Sequence, residues 1–254
     1  MNHAVQTEDR DGVLVITIDR PEARNAVNRA VSEGVAAAMD LLDSSEHLRV
    51  AVITGAGNTF CAGMDLKSFS RGETVSLPGR GFAGFVTTPP SKPLIAAVEG
   101  YALGGGCEIA LACDLIVASV GANFGLTEVK RGLIAAGGGL LRLPERLPYS
   151  VAMELALTGD LLTATRAHQF GMVNRLTEDG GALDAAVSLA RSISNNGPLA
   201  VSATKRLLKQ RRDWSTETEF EEQQAITAPV FASNDAREGA LAFVEKRPAV
   251  WTAT

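Results

Sequence analysis

Short runs of β-branched and apolar residues alternate with segments of helical periodicity along most of the chain. Each run has the length and continuous hydrophobicity of a strand that is buried on both faces. The runs are VLVITI (13–18), VAVITG (50–55), LIAAVEG (94–100) and DLIVAS (114–119). Between the first two, apolar side chains recur every three or four residues over 28–45, which predicts an amphipathic helix. The alternation therefore predicts an α/β core.

The strand signals end near residue 182, and the rest of the chain has the periodicity of helices. The helical segments are 182–194, 199–210, 216–226 and 235–247. Pro198 and Pro229 are expected to separate them. We therefore divide the chain into an α/β core at 1–195 and a helical C-terminal region at 196–254. Residues 68–92 have the least regular pattern and predict a long loop.

The composition and charge of the chain argue against several classes of function. The chain has 254 residues, of which 46% are hydrophobic and 21% charged, and its net charge is −5. No basic cluster indicates binding to nucleic acid or to a membrane surface. The uncharged stretch 115–127 is shorter than the roughly 20 apolar residues of a membrane-spanning helix. The N-terminus lacks a signal-peptide pattern, and Cys61, Cys107 and Cys113 are too few for a disulfide framework. We expect a soluble, cytoplasmic protein.

Several common motifs do not account for this sequence. GRGFAG (79–84) matches a dinucleotide-binding pattern, but no predicted strand precedes it and no predicted helix follows it. GAGNTFCAG (55–63) lacks the Lys and Ser/Thr of a phosphate-binding loop. The three histidines are far apart in the sequence, so we expect no metal site. Cys61 has apolar neighbours, which favour a small core residue over a nucleophile.

Two glycine-rich turns follow predicted strands. GNTFCAGMDLKSF (57–69) and GGGCEIALACD (104–114) each predict a strand that leads into a turn and then a helix. Two such turns can direct backbone N–H groups to one point, as enzymes do to stabilise an oxyanion. A third segment, 124–139, has Glu128 near its start and more glycines behind it. Each turn alone could equally serve helix–strand packing, and Glu108 alone could complement a helix dipole.

In combination, these motifs resemble the crotonase, or enoyl-CoA hydratase/isomerase, superfamily over essentially the whole chain. The resemblance lies in IDRPEARNAVN (18–28), FCAGMDLK (60–67), KPLIAAVEGYALGGGCEIALACDLIVAS (92–119), FGLTEVKRGLI (124–134), GGLLRLPERL (138–147), ALTGDLLTATRAHQFGMVNRL (156–176) and FVEKR (243–247). It implies an α/β crotonase fold, a spiral of ββα units with a C-terminal helical trimerisation region. It also implies a homotrimer or a dimer of trimers.

The resemblance assigns expected roles to particular residues. Met64 and Gly105 would be the oxyanion-hole donors through their backbone N–H groups, and Glu108 and Glu128 match the two catalytic glutamates of the hydratase branch. The positions that hold coenzyme A in the family are Arg24, Ala26, Ala62, Asp65 and Leu66, and a tail segment with Phe243 and Lys246 can reach the coenzyme A of a neighbouring subunit.

The resemblance implies an enoyl-CoA hydratase, which adds water reversibly and syn across the 2,3 double bond of a 2-enoyl-CoA in fatty-acid or related metabolism such as β-oxidation. No permanently bound cofactor is expected, because coenzyme A enters as part of the substrate. We assign Glu108 as the base and Glu128 as the acid, since a helix start should favour ionised Glu108.

Three alternatives remain open at this point: a carnitinyl-CoA dehydratase, an enoyl-CoA isomerase, and a non-catalytic acyl-CoA-binding protein. Thr127 and Ala135 stand where many hydratases have proline, which affects the expected acyl group more than the chemistry. Segments 138–148 and 240–251 look like the carnitinyl-CoA dehydratase subgroup.

Overall fold

The computed structural model describes residues 4–254 and confirms the α/β class. The strands are β1 Val5–Asp9, β2 Val13–Ile18, β3 Val50–Gly55, β4 Ser76–Leu77, β5 Gly81–Phe82, β6 Leu94–Val98, β7 Tyr101–Leu103, β8 Leu115–Ser119, β9 Asn123–Gly125, β10 Leu162–Thr163 and β11 Arg175–Thr177. The helices are α1 Arg29–Ser44, α2 Leu66–Ser70, α3 Gly105–Ala112, α4 Gly139–Arg146, α5 Tyr149–Thr158, α6 Ala164–Gln169, α7 Ala182–Ser194, α8 Pro198–Gln210, α9 Glu219–Ala232 and α10 Asn234–Glu245.

The central sheet has six strands in the order β1-β2-β3-β6-β8-β11. β1 is antiparallel to β2, and the other neighbours are parallel. Alternate side chains of β2 enter different clusters. Leu14 and Ile16 pack with the apolar face of α1, whereas Val13 and Val15 pack with α7. Helices therefore cover both faces of the sheet, which explains the continuously apolar strands of the sequence.

A smaller sheet in the order β10-β9-β7 positions the candidate site. β6 leads into β7 and then α3, and β8 leads into β9 and then a 3₁₀ turn at Glu128–Arg131. Because β7 and β9 are parallel neighbours, their carboxyl ends lie at the same edge of this sheet. The segments after these strands carry Glu108 and Glu128 to that edge.

Two expectations about irregular segments are corrected. Pro198 begins α8 as expected, but Pro229 lies inside α9 and does not separate helices. A proline removes only one hydrogen bond of the helix, here the bond to the carbonyl of Ala225, so α9 continues to Ala232. The predicted loop 68–92 contains the end of α2 and the antiparallel pair β4–β5.

The C-terminal helices are joined to the core by a buried lysine. Lys205 of α8 donates to the carbonyl of Lys92 at 2.7 Å and pairs with Asp114 at 2.6 Å. α9 and α10 nevertheless leave Phe231 and Phe243 exposed by 80% and 85%. Among residues 4–254, no helix combines the length and apolar character needed to cross a membrane. The boundary between 1–195 and 196–254 stays a prediction.

Candidate active site

Two backbone segments meet at the centre of the site, one after β3 and one that continues from β7. The N–H of Cys61 donates to the carbonyl of Tyr101 at 3.0 Å, and the N–H of Leu103 donates back to Cys61 at 3.0 Å. This parallel pairing brings Gly63 against the start of α3. A side chain at Gly63 would lie 3.1 Å from the amide nitrogen of Gly105.

The backbone N–H groups of Met64 and Gly105 are both free at this point. Gly105 is the first residue of α3, so its N–H has no partner within the helix. Within the described part of the chain, neither N–H has a hydrogen-bond acceptor. The two predicted donors are therefore neighbours and available to an oxygen from outside the protein.

The carboxylate of Glu108 is buried one turn into α3. The residue is only 3% exposed, and Oε1 accepts a hydrogen bond of 2.9 Å from the N–H of Gly139. The chain at 137–139 follows the carboxylate closely, because a side chain at Gly137 would lie 2.6 Å from Glu108 Oε2. The glycines of this turn let its backbone approach the carboxylate directly.

Glu128 reaches the same place from the other segment. Gly104, the residue before α3, donates its N–H to the carbonyl of Gly125 at 2.7 Å. A side chain at Gly104 would lie 3.2 Å from Glu128 Oε1, and Oε2 is buried without a hydrogen-bond partner among residues 4–254. The carboxyl group of Glu128 thus lies against Gly104, and it is close enough to Glu108 for its charge to raise the pKa of that residue.

Burial raises the pKa of both carboxyl groups. For Glu108, the negative charge of Glu128 adds to the effect of burial, while the N–H groups of Gly139 and Gly137 and the charge of Arg142 oppose it. For Glu128, burial again raises the pKa and Arg131 opposes it. The sequence predicts that the helix start favours ionised Glu108, but the net pKa of this group is raised, because desolvation outweighs the N–H groups of Gly139 and Gly137 and the charge of Arg142.

The family model described as "Enoyl-CoA hydratase/isomerase" matches residues 8–254. The chain belongs to this family. The crystal structure of enoyl-CoA hydratase EchA1 from Mycobacterium marinum has a TM-score of 0.98 and 62% identity, with 100% of each chain covered. Enoyl-CoA hydratase EchA19 from Mycobacterium tuberculosis is 40% identical over 251 residues, 94% of this chain and 93% of its own.

A second kind of relative bears on the acyl group. Carnitinyl-CoA dehydratase from Salmonella arizonae is 41% identical over 260 residues, which cover 99% of both chains. These matches confirm the crotonase superfamily and its α/β fold, as predicted from the sequence. The enzyme class predicted from the sequence, enoyl-CoA hydratase, agrees with the names of EchA1 and EchA19.

The positions expected to hold coenzyme A in this family member lie on two paired segments. Ala62 donates its N–H to the carbonyl of Arg24 at 3.0 Å, and Asp65 donates its N–H to the carbonyl of Val27 at 2.9 Å. Arg24 and Leu66 are exposed, whereas Ala26 is buried. The two segments therefore form one continuous edge next to the free N–H of Met64.

The carboxylate of Asp65 has local partners of its own. It accepts hydrogen bonds from the N–H groups of Lys67 and Ser68 at the start of α2, and it pairs with Arg20 at 3.0 Å. Burial alone would raise its pKa, but the Ser68 N–H and Arg20 hold the pKa below the usual value. The carboxylate of Asp65 is therefore held by the start of α2 and by Arg20.

The structure does not bring Phe243 and Lys246 to this site within one copy of the chain. α10 packs against α9, and no hydrogen bond among residues 4–254 joins either residue to the segments at 24–27 and 62–66. Phe243 is 85% exposed at the end of α10. The predicted contact with the coenzyme A of a neighbouring subunit stays a prediction.

Sequence reasoning missed three residues next to the carboxylates and the donors. These are Gly139, which binds Glu108, Arg142, which holds the turn before it, and Phe82, whose ring lies against Gly105. The glycine run 137–139 was a visible signal of close backbone approach. No local pattern indicates that Arg142 or Phe82 faces the site, because both contacts are made across the fold.

Proposed function

We propose that this protein hydrates 2-enoyl-CoA thioesters, reversibly and syn, across the 2,3 double bond. One observation carries the proposal: two free N–H donors, at Met64 and Gly105, lie beside the buried carboxyl group of Glu108 and that of the half-buried Glu128, whose Oε2 is buried. Attack of water on C3 moves negative charge to the thioester oxygen, and the two N–H groups bind that oxygen. Loss of one such donor typically costs about 3–4 kcal/mol.

The carboxyl groups perform the proton transfers. One carboxylate removes a proton from water as its oxygen attacks C3, and the other carboxyl group delivers a proton to C2. Gly139, Gly137 and Arg142 favour the anion of Glu108, and the N–H of Glu128 itself and Arg131 favour that of Glu128. Of the two groups, only Glu128 has a carboxyl oxygen, Oε2, that is buried without a donor among residues 4–254. This asymmetry supports Glu108 as the base and Glu128 as the acid. The pair titrates together, so its observed pKa values belong to both groups.

The second candidate is dehydration of carnitinyl-CoA, which the same carboxyl groups could perform in the reverse direction. Segments 138–148 and 240–251, and a relative named carnitinyl-CoA dehydratase at 41% identity, favour this candidate. An enoyl-CoA isomerase and a non-catalytic acyl-CoA-binding protein need only one or neither of the two carboxyl groups. A panel of crotonyl-CoA, longer enoyl-CoA and carnitinyl-CoA, followed by thioester absorbance, separates these candidates.

The remaining parts of the proposal concern binding, assembly and location. We propose that Arg24, Ala26, Ala62, Asp65 and Leu66 bind the coenzyme A of the substrate, with no permanently bound cofactor. Exposed aromatic rings on α9 and α10 support a homotrimer or a dimer of trimers. Three buried free thiols fit a reducing, cytoplasmic compartment. A role in β-oxidation rests on the family resemblance alone.

The test is hydration of crotonyl-CoA by the wild type and by Glu108→Gln and Glu128→Gln. We expect each variant to lower kcat by about a hundredfold or more, because general acid–base catalysis typically contributes that much. Glu99→Gln, at a glutamate that accepts from the N–H of Ala182 away from the site, is the matched control. Turnover close to that of the wild type in either site variant would exclude the two-carboxylate mechanism.

A further inference from the structure

Arg142 of α4 is a half-buried cation whose hydrogen bonds go to backbone carbonyls. One nitrogen donates to the carbonyl of Gly137 at 3.2 Å and another to the carbonyl of Val86 at 2.5 Å. Its guanidinium forms no ion pair with a residue of the described chain. A buried charge is normally placed beside an opposite charge, so this arrangement requires a specific reason.

The carbonyls that Arg142 binds belong to the two segments that enclose the site. Gly137 begins the turn whose N–H at Gly139 binds Glu108 at 2.9 Å, and Val86 ends the segment that packs Phe82 against Gly105. At Gly138, φ is +91°, and a side chain there would overlap the Arg142 guanidinium. The guanidinium therefore lies against Gly137 and Gly138 of this turn.

We propose that Arg142 is a positioning residue for the proposed hydratase reaction: it fixes the 137–139 turn on the Val86 segment, so that this turn holds the Glu108 carboxylate, and its charge stabilises the carboxylate as an anion. The inference rests on the proposed function for its kinetic consequences only. A planar guanidinium suits this position, because it can donate to two carbonyls at a fixed separation while it stays charged.

The charges around Glu108 come from three elements. Glu128 on the 3₁₀ turn raises the pKa of Glu108, whereas the N–H groups of Gly139 and Gly137 and the guanidinium of Arg142 lower it. Burial lowers the pKa of Arg142 itself, and the negative charges of Glu145 and Glu108 oppose this effect. Arg142 is the cation among these groups, so its removal should raise the pKa of Glu108 further.

The experiment compares Arg142→Met, Arg142→Lys and Arg146→Met in enoyl-CoA hydration. Arg146 is the matched control: it lies one turn further along α4, is half-buried, and donates to the carbonyl of Cys113 at 2.5 Å. For Arg142→Met we expect kcat to fall about tenfold to a hundredfold, with KM within about twofold. Arg146→Met should keep the kcat of the wild type.

The pH dependence separates positioning from simple packing. The base must be ionised, so activity falls as pH drops through its pKa. In Arg142→Met, this loss of activity at acidic pH should occur at a higher pH than in the wild type, because the cation that favours the Glu108 anion is gone. Arg142→Lys should bring the pH of this loss back towards that of the wild type, because the positive charge is restored. Its kcat should stay reduced, since an ammonium group cannot bridge the carbonyls of Gly137 and Val86 in the same way.

An infrared titration of the Glu108 carboxyl band, assigned by its loss in Glu108→Gln, measures the same pKa without turnover. If Arg142→Met keeps the kcat and titration of the wild type, the inference is wrong. It is also wrong if kcat falls without a shift of the titration, or if Arg146→Met reproduces both effects. If the wild type hydrates no enoyl-CoA, the proposed function fails, and the infrared titration still decides the role of Arg142.

Discussion

The contact between Gly105 and Phe82 shows how closely the proposed oxyanion donor is enclosed. A side chain at Gly105 would overlap the ring of Phe82, which is only 8% exposed. Glycine therefore serves two purposes at this position. It leaves room for the aromatic ring, and it leaves the N–H open to a substrate oxygen. The donor is fixed by the helix behind it and by the ring beside it.

A pair of substitutions separates the two purposes of Gly105. Gly105→Ala introduces the steric contact with Phe82 but keeps the N–H, whereas Gly105→Pro introduces the contact and removes the N–H. Proline is tolerated at the first position of a helix, so α3 should still form. We expect kcat of the proline variant to lie about a hundredfold below that of the alanine variant. Circular dichroism checks the fold, and equal kcat values would contradict the oxyanion role.

At the scale of elements, α8 is joined to the core by a buried charge cluster. Asp114, before β8, pairs with Lys205 at 2.6 Å and with Lys209 at 3.2 Å, and it accepts the N–H of Leu94 at 2.8 Å. The Lys205 side chain is 9% exposed, whereas that of Lys209 is 46% exposed. The two lysines share one partner and differ in burial.

This difference in burial leads to a prediction about stability. Lys205→Met should lower the free energy of unfolding by about 1–3 kcal/mol, because it leaves a partly buried carboxylate and the carbonyl of Lys92 without their main donor. Lys209→Met, the matched control, should change it by less than about 0.5 kcal/mol, because an exposed ion pair contributes little. Urea unfolding of both variants measures the difference. Equal losses would mean that the buried pair does not anchor α8.

At the scale of the whole molecule, the C-terminal helices expose an unusual amount of aromatic surface. Phe220, Phe231 and Phe243 are exposed by 74%, 80% and 85%. α4 and α5 add exposed apolar side chains, with Leu141 at 76% and Leu157 at 70%. Surfaces of this kind mark protein–protein contacts more often than free surface. They support the proposed assembly of several copies of the chain.

The proposed assembly can be tested by a charge placed on this surface. We expect light scattering after gel filtration to give the mass of a trimer or a hexamer for the wild type, and of a smaller species for Phe231→Asp, because a buried unpaired carboxylate strongly opposes association. Leu41→Asp, on α1 at a side chain that is 45% exposed, is the control and should keep the mass of the wild type. If the wild type has the mass of a single chain, the proposed assembly is contradicted.

The sequence by itself determined the α/β class, the four strands β2, β3, β6 and β8, helix α1 and the helical C-terminal region. These features follow from periodicity, since each needs only its own apolar side chains to be recognised. The motif blocks also identified the family and the candidate residues Met64, Gly105, Glu108 and Glu128. The short strands β7 and β9 were not predicted, because two or three residues carry no measurable period.

The tertiary structure alone decided how those residues act on one another. Desolvation raises the pKa of Glu108 despite its place at a helix start, and the amount of burial is a property of the packed fold. The bonds of Gly139 and Arg142 to the site join positions on separate elements through backbone groups, which every residue type shares. A sequence records which side chains are present, but the direction of a backbone N–H or carbonyl is set only when the elements pack.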